Sequence, residues 1–271
     1  MRSEKMDYQN ILTSGVFMLV IGSALIILLA YLGIKFRVEE DPRISEVSSR
    51  LPQANCGACG KAGCHGFAEA VVLGELNVGK CTVASSEKKA EIAEYLGMTV
   101  VLGEKTFARL ACAGGTNVAR NNAEFDPHMS CRDANRSGGG KACAWGCLGL
   151  GDCMAACAFD AIVMNRFGLP IVDVDKCTSC GDCVRECPRD LFSIVPESRK
   201  LFVACKNLQL GIEAKKECGV ACTGCGNCVF DAPKGLIKIE NGLAVVDYDS
   251  GLPLTENATK NCPTGAIVYY K

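Results

Sequence analysis

The chain has 271 residues, of which 49% are hydrophobic and 22% charged, and its formal net charge at pH 7 is −1. This length exceeds what one small hydrophobic core requires, so it predicts two compact domains with an additional segment. The near-zero net charge excludes the basic surface of a nucleic-acid-binding protein, and twenty cysteines with only 6% aromatic residues exclude a typical enzyme core.

Residues 11 to 34 form an uncharged apolar stretch that is long enough to cross a bilayer with some tilt. A secretory signal peptide is the alternative, but its apolar region is about 7 to 15 residues long and ends at an A-x-A-like site. More cations follow the stretch than precede it, so the positive-inside rule places the C-terminal side in the cytoplasm. These cations are Arg2 and Lys5 before it and Lys35, Arg37, Arg43 and Arg50 after it. We therefore expect residues 1–37 to be a single-pass anchor in the inner (plasma) membrane.

The density of the cysteines favours metal ligation over disulfide bonds. Runs such as Cys177 to Cys187 place thiols too close together for the disulfide framework of a secreted protein. Thiolate ligands persist in a reducing compartment, which again predicts a cytoplasmic location for this part of the chain.

The first cysteine group predicts one 4Fe-4S cluster in a small helical domain over residues 38–100. Its members are Cys56, Cys59, Cys64 and Cys81, with glycines interleaved among the first three. Three ligands on one glycine-rich loop and a remote fourth are typical of iron-sulfur clusters, whereas structural zinc sites usually show two separated pairs. Two helices are predicted around it, one after Cys64 and one from Ser85 to Leu96, with Ser85 as its cap and Gly97 as its stop.

The strongest motif predicts a two-cluster ferredoxin-like domain over residues 141–200. Cys177-x2-Cys180-x2-Cys183-x3-Cys187-Pro188 is the bacterial ferredoxin run, in which the fourth cysteine serves the other cluster. A first half matches it thirty residues upstream, and residues 159–173 predict a strand, a turn and a strand between the halves. The expected ligand sets are Cys143, Cys147, Cys153 and Cys187 for one cluster, and Cys157, Cys177, Cys180 and Cys183 for the other.

A degenerate copy of this module is predicted over residues 201–271. The triplet Cys222, Cys225 and Cys228 is followed by Ala232-Pro233 in place of Cys-Pro, so the remote Cys262 is expected to complete one cluster. The segments after Cys187 and after Cys262 share a strand-forming pattern.

Four cysteines remain, and they predict a fifth cluster to which a linker at residues 101–140 contributes. They are Cys112, Cys131, Cys205 and Cys218. The alternatives are buried inert thiols, a zinc site that joins the two flanks, or replacement of one ligand of the Cys222 triplet by Cys218.

The predicted fold is therefore α+β, with one N-terminal transmembrane helix, a small helical 4Fe-4S domain and bacterial ferredoxin-like modules. Five 4Fe-4S clusters without a GxGxxG fingerprint or an acid-base constellation indicate an electron relay, because such clusters transfer single electrons.

The motifs also resemble a known family. The run LPQANCGACGKAGCHGFAEAV behind one N-terminal helix, CAGG from Cys112 to Gly115, GLGDCMAAC and CTSCGDCVRECP are similar to the B subunit, an iron-sulfur subunit, of the Rnf electron-transport complex. The resemblance implies a cytoplasmic iron-sulfur part that accepts electrons from reduced ferredoxin and passes them to other membrane and flavin-containing subunits of an ion-translocating ferredoxin:NAD+ oxidoreductase. The alternative is a membrane-anchored polyferredoxin that serves another dehydrogenase or hydrogenase without ion pumping. A zinc scaffold without redox function is a third hypothesis, which the ferredoxin run disfavours.

Overall fold

The computed structural model describes residues 2–36, 40–101, 103–124, 126 and 128–270, and within these ranges the chain is a mixture of helices and strands. It divides into two compact units, Met1–Ser45 and Glu46–Lys271. The helices are α1 (Arg2–Lys35), α2 (Pro42–Arg50), α3 (Gly63–Val72), α4 (Ser86–Leu96), α5 (Cys131–Arg136), α6 (Asp152–Ala155), α7 (Asp182–Glu186), α8 (Gly211–Glu217) and α9 (Asn227–Asp231). The strands are β1 (Thr106–Leu110), β2 (Ile162–Met164), β3 (Pro170–Val172), β4 (Phe192–Pro196), β5 (Leu201–Val203), β6 (Ile237–Glu240), β7 (Leu243–Val246) and β8 (Ile267–Tyr269).

Helix α1 contains the predicted apolar span. Its part from Tyr8 to Lys35 is 28 residues long and apolar enough to cross a membrane. At about 1.5 Å per residue, it exceeds the roughly 30 Å of a bilayer's hydrocarbon core. The hydroxyls of Thr13 and Ser23 donate to backbone carbonyls one turn before them, so neither polar group needs a partner outside the helix. Arg37 and the expected domain boundary at residue 37 lie outside the described residues.

Helices α3 and α4 form the core of the predicted helical region. The helix predicted from Ser85 is confirmed: the Ser85 side chain accepts a hydrogen bond from the Lys88 N–H, and Gly97 ends α4 in the left-handed conformation. Phe67 of α3 and Ile92 of α4 are fully buried. Arg50 pairs with Glu91 of α4, and its guanidinium lies over the ring of Tyr95, which ties the end of α2 to α4.

Four antiparallel strand pairs lie in the described part of the second unit. They are β1 with β4, β2 with β3, β5 with β8, and β6 with β7. The predicted strand, turn and strand over residues 159–173 is the β2–β3 hairpin, and the strand-forming segments after Cys187 and Cys262 are β4 and β8. These local predictions are confirmed: each segment is a short run rich in apolar and β-branched or aromatic residues, a composition that favours strands.

The pairing of β1 with β4 is long-range, and no sequence pattern predicts it. Phe107 lies opposite Val195 and Leu110 opposite Phe192, so the segment expected to be a linker forms part of the sheet. Helix α5 lies in the same segment.

A buried arginine joins β1 to the C-terminal strand pair. Arg109 of β1 is 7% exposed, and its guanidinium lies 4.5 Å from the ring centroid of Phe202 on β5 and 5.8 Å from that of Tyr270. It also donates a hydrogen bond to the backbone carbonyl of Arg199. Cation-π contacts of this kind hold the two sheets together.

Candidate metal centres

The twenty cysteines, all free of disulfide bonds, line five cavities in groups of four. We name these cavities sites A to E. Site A is lined by Cys56, Cys59, Cys64 and Cys81. Site B is lined by Cys157, Cys177, Cys180 and Cys183. Site C is lined by Cys131, Cys147, Cys153 and Cys187. Site D is lined by Cys112, Cys143, Cys205 and Cys218. Site E is lined by Cys222, Cys225, Cys228 and Cys262.

Site A is built from one tight loop and from Cys81, which follows the short 3-10 helix Val78–Lys80. Gly57, Gly60 and Gly63 all have positive φ, which lets the loop carry three cysteines inward around a small space. The side chain of Asn55 accepts a hydrogen bond from the N–H of Cys64 at 2.8 Å and so fixes the start of α3. The structure brings together the four cysteines that the sequence assigned to this site.

Sites B, C and E share one local design, a glycine followed by a polar residue and a cysteine at the start of a short helix. Gly151, Gly181 and Gly226 are left-handed and begin α6, α7 and α9, which places Cys153, Cys183 and Cys228 in the first turn of their helices. Backbone N–H groups in the first turn have no partner within the helix, so they favour negative charge at this end. The repeat in the sequence therefore places one cysteine at the same position, in the first turn of a short helix, in each of the three sites.

Site B has the predicted set of cysteines, three from the loop and first turn of α7 and one from the first half of the module. Two backbone N–H groups donate to its sulfurs, that of Ala108 to Cys177 at 3.5 Å and that of Ala161 to Cys157 at 3.4 Å. Hydrogen bonds of this kind stabilise thiolate charge.

Site C differs from the sequence-based grouping in one member, because Cys131 takes the place expected for Cys143. Cys131 begins α5, and its backbone N–H donates to the carboxylate of Asp152 at 2.9 Å. Asp152 is the first residue of α6 and precedes Cys153, so this contact pins Cys131 beside Cys153. Cys131 lies far upstream of the ferredoxin run, and only a tertiary contact reveals the relation.

Site D contains Cys143 together with three of the four leftover cysteines. Arg189 holds the Cys143–Cys147 loop by donating to the carbonyls of Cys143 and Gly146 at 2.9 and 2.7 Å. This loop contributes Cys147 to site C and Cys143 to site D. A Cβ atom on Gly114 would lie 2.9 Å from the sulfur of Cys218, so the backbone at Gly114 approaches the site closely. Cys218 lines site D, whereas the cavity beside the Cys222 triplet is lined by Cys262.

Site E has the predicted members, and it includes the most accessible cysteine of the chain. Cys225 is exposed, whereas the other nineteen are buried or half-buried. Burial raises the pKa of Cys262, but hydrogen bonds from the N–H groups of Ile267, Thr264 and Ala266 together outweigh it and leave the pKa below its ordinary value.

Four of the five sites adjoin one another in the order B, C, D, E. Cys183 of site B and Cys153 of site C pack in one apolar cluster. The N–H of Cys147 in site C donates to the sulfur of Cys112 in site D at 3.4 Å. The N–H of Cys222 in site E donates to the sulfur of Cys205 in site D at 3.3 Å. Sites C and D therefore lie between sites B and E. Site A is lined by residues between Pro52 and Val83.

The electrostatics of the cavities favour occupation by a cationic group. Burial, with a smaller contribution from neighbouring sulfurs, raises the pKa of Cys147, Cys153 and Cys183 to about 12. Burial also raises the pKa of Cys205 and Cys228 to about 11. Such thiols remain protonated at neutral pH unless a metal replaces the proton. The donor sets therefore fit metal, and four thiolates per site fit a 4Fe-4S cluster.

The arrangement of the cysteines favours a cluster over a structural zinc ion. Sites A, B and E each combine three cysteines from one loop with one remote cysteine, which is typical of iron-sulfur clusters, whereas structural zinc sites usually show two separated pairs.

Comparisons with known proteins agree with this chemistry. A family model for an Fe-S cluster matches residues 51–83, and one for a 4Fe-4S dicluster domain matches residues 142–192. The second match includes Cys143 but not Cys131, which is the residue that completes site C.

Curated relatives match nearly the whole chain. The B subunit of the Na(+)-translocating ferredoxin:NAD(+) oxidoreductase complex of Acetobacterium woodii is 43% identical, over 95% of this chain and 77% of the relative. The B subunit of the proton-translocating ferredoxin:NAD(+) oxidoreductase complex of Clostridium ljungdahlii is 39% identical, over 93% of this chain and 90% of the relative. The B subunit of the ion-translocating oxidoreductase complex of Methanosarcina acetivorans is 35% identical, over 84% of this chain and 87% of the relative.

Proposed function

The chain belongs to the B-subunit family of ion-translocating ferredoxin:NAD+ oxidoreductase (Rnf) complexes, and we propose that it binds five 4Fe-4S clusters and relays electrons from reduced ferredoxin toward the membrane subunits. It is a membrane-associated iron-sulfur electron-transfer subunit, and its partners include the other subunits of such a complex. The observation that carries the proposal is the convergence of all twenty cysteines, four at a time, on five cavities.

The ligands we propose are the four cysteines of each of sites A to E. A 4Fe-4S cluster held by four thiolates supplies one-electron transfer, at a potential set by charge, hydrogen bonds and solvent exposure. The chain's own contribution is to orient the thiolates, donate N–H hydrogen bonds to several sulfurs and keep water away from the interior sites. The adjoining order B, C, D, E supports transfer along this row, because its neighbouring sites share direct contacts.

We propose that the soluble electron donor approaches the row at site E. Cys225 is the exposed cysteine of the chain, and the nearby side chains of Leu210 and Phe230 are 64% and 88% exposed. Leu210 lies beside the loop that carries Cys225. A Cβ atom on Gly242 would lie 2.6 Å from Cδ2 of Leu210, and Gly242 in turn contacts Gly224, the residue before Cys225. Exposed apolar side chains around a redox centre suit a transient protein partner.

We further propose that the domain boundaries follow the sites. Residues 38–100 form the helical domain with site A, residues 141–200 the two-cluster domain, and residues 201–271 the degenerate module with site E. The segment 101–140 supplies Cys112 to site D and Cys131 to site C. The iron-sulfur part faces the cytoplasm, where thiols stay reduced.

Ion translocation belongs to other subunits in this proposal. The predicted span at residues 11 to 34 contains no Asp, Glu or His side chain that could bind a cation within the membrane.

The test is electron uptake from a reduced bacterial ferredoxin by the anaerobically purified chain. We expect the visible absorption of the chain to bleach on mixing in a stopped-flow instrument. Replacement of Cys225 by alanine should slow this uptake, while the matched replacement of Cys59 in site A should not. Failure of the unmodified chain to accept electrons would overturn the proposed function. Equal uptake rates for the two variants would overturn the entry point at site E.

A further inference from the structure

A buried lysine lies between sites C and D. Lys141 is 8% exposed, and its ammonium donates hydrogen bonds to the backbone carbonyl oxygens of Gly114 at 2.5 Å and Cys147 at 2.6 Å. Gly114 and Lys141 line site D, and Cys147 lines site C. The ammonium is thus fixed where the two sites meet.

The position of this side chain is set by its surroundings. Its backbone N–H donates to the carbonyl of Gly139, and Lys141 forms an isolated β-bridge with Asn121. A Cβ atom on Gly146 would lie 3.0 Å from Cδ of Lys141, so the alkyl chain packs closely on Gly146. A long side chain held in this way has lost its rotamer freedom, a loss of entropy that an ordinary surface lysine avoids.

The charge of Lys141 has no carboxylate partner. No Asp or Glu in the described part of the chain forms an ion pair with it, and both of its hydrogen-bond acceptors are neutral carbonyls. An unpaired buried cation is unfavourable, so negative charge close to it is expected. The two carbonyl groups that bind the ammonium belong to residues that line sites C and D, and each of these sites carries four cysteine sulfurs.

We propose that the positive charge of Lys141 raises the reduction potentials of the clusters in both site C and site D. This inference rests on the proposed function. Each reduction adds one negative charge to a site that already holds four thiolates. A fixed cation in a water-poor interior stabilises that added charge much more than a solvated cation does. The two central sites of the row therefore hold electrons more readily than they would without Lys141.

The test is an anaerobic redox titration of the full chain, followed by electron paramagnetic resonance. In Lys141→Met, we expect two of the five midpoint potentials to become more negative and the other three to keep their values, with iron content unchanged. The two shifted signals should be those that are lost in Cys131→Ala and Cys112→Ala, which remove ligands of sites C and D.

Lys216→Met is the matched control. Lys216 lies on α8, two residues before Cys218, but it is exposed and pairs with Glu213 at 2.7 Å, so solvent screens its charge. Its replacement should leave all five potentials in place. Lys141→Gln keeps an amide donor without the charge, and it should shift the same two potentials even if the methionine variant fails to assemble.

Unchanged potentials in Lys141→Gln, or a shift of all five, would overturn the role of Lys141. An unmodified chain with too few clusters would instead contradict the proposed function, so the two failures are distinct.

Discussion

The exchange of Cys131 and Cys143 between two neighbouring sites leads to a sharp prediction about paired substitutions. In the structure, Cys131 and Cys153 line site C, whereas Cys143 lines site D. Grouping by sequence spacing would instead place Cys143 with Cys153. Single replacements do not separate these assignments, because each of them damages one site under either grouping.

Two double variants do separate them, because ligands of one cluster act as a unit and their effects are not additive. Cys131→Ala with Cys153→Ala removes two ligands of site C and leaves four complete sites, so we expect about sixteen iron atoms per chain at four per cluster. Cys143→Ala with Cys153→Ala damages sites C and D and leaves three complete sites, so we expect about twelve.

The assay is iron and acid-labile sulfide determination on anaerobically purified protein, with spin counting of the reduced clusters as an independent measure. Cys112→Ala with Cys143→Ala is the matched control, because both residues line site D and the pair should again leave about sixteen iron atoms. The reverse order, with more iron in the Cys143 and Cys153 pair than in the Cys131 and Cys153 pair, would refute the assignment of these ligands.

Three further predictions concern the protein frame around the sites. Gly114→Ala should lower the iron content of the chain by about four atoms, because the new Cβ atom would lie 2.9 Å from the sulfur of Cys218 and displace it. An unchanged iron content in this variant would contradict the close approach of Gly114 to site D. Arg109→Ala should lower the free energy of unfolding by about 2–4 kcal/mol, because it removes a buried side chain that contacts three aromatic rings. Denaturant titration measures this free energy, and a decrease of less than about 1 kcal/mol would contradict the prediction. Ser85→Ala should cost about 1 kcal/mol through loss of the cap of α4, whereas Ser86→Ala, one position later, should cost less than half of that; equal losses would argue against the cap.

Local features of this fold could be predicted because short-range physics determines them. The apolar stretch within α1, the serine cap and glycine stop of α4, and the β2–β3 hairpin all depend on residues close together in the chain. The memberships of sites A, B and E also follow from spacing, since each set consists of a local triplet and one cysteine that a motif identifies.

Long-range features could not be predicted in the same way. The place of Cys131 depends on the hydrogen bond from its N–H to Asp152, and that of Cys143 on the direction of a loop held by Arg189. The pairing of β1 with β4 joins segments separated by most of the ferredoxin-like module. Sequence spacing contains no information about such contacts, and so it divides the eight cysteines of sites C and D differently from the two cavities of the structure.

The most direct test of the account is the iron and sulfide content of the unmodified full-length chain, purified without oxygen. Five occupied sites predict about twenty iron and twenty sulfide atoms per chain, in a brown protein whose visible absorption is bleached by dithionite. A colourless protein, or one that contains zinc and no sulfide, would contradict the central claim that these cysteines bind iron-sulfur clusters.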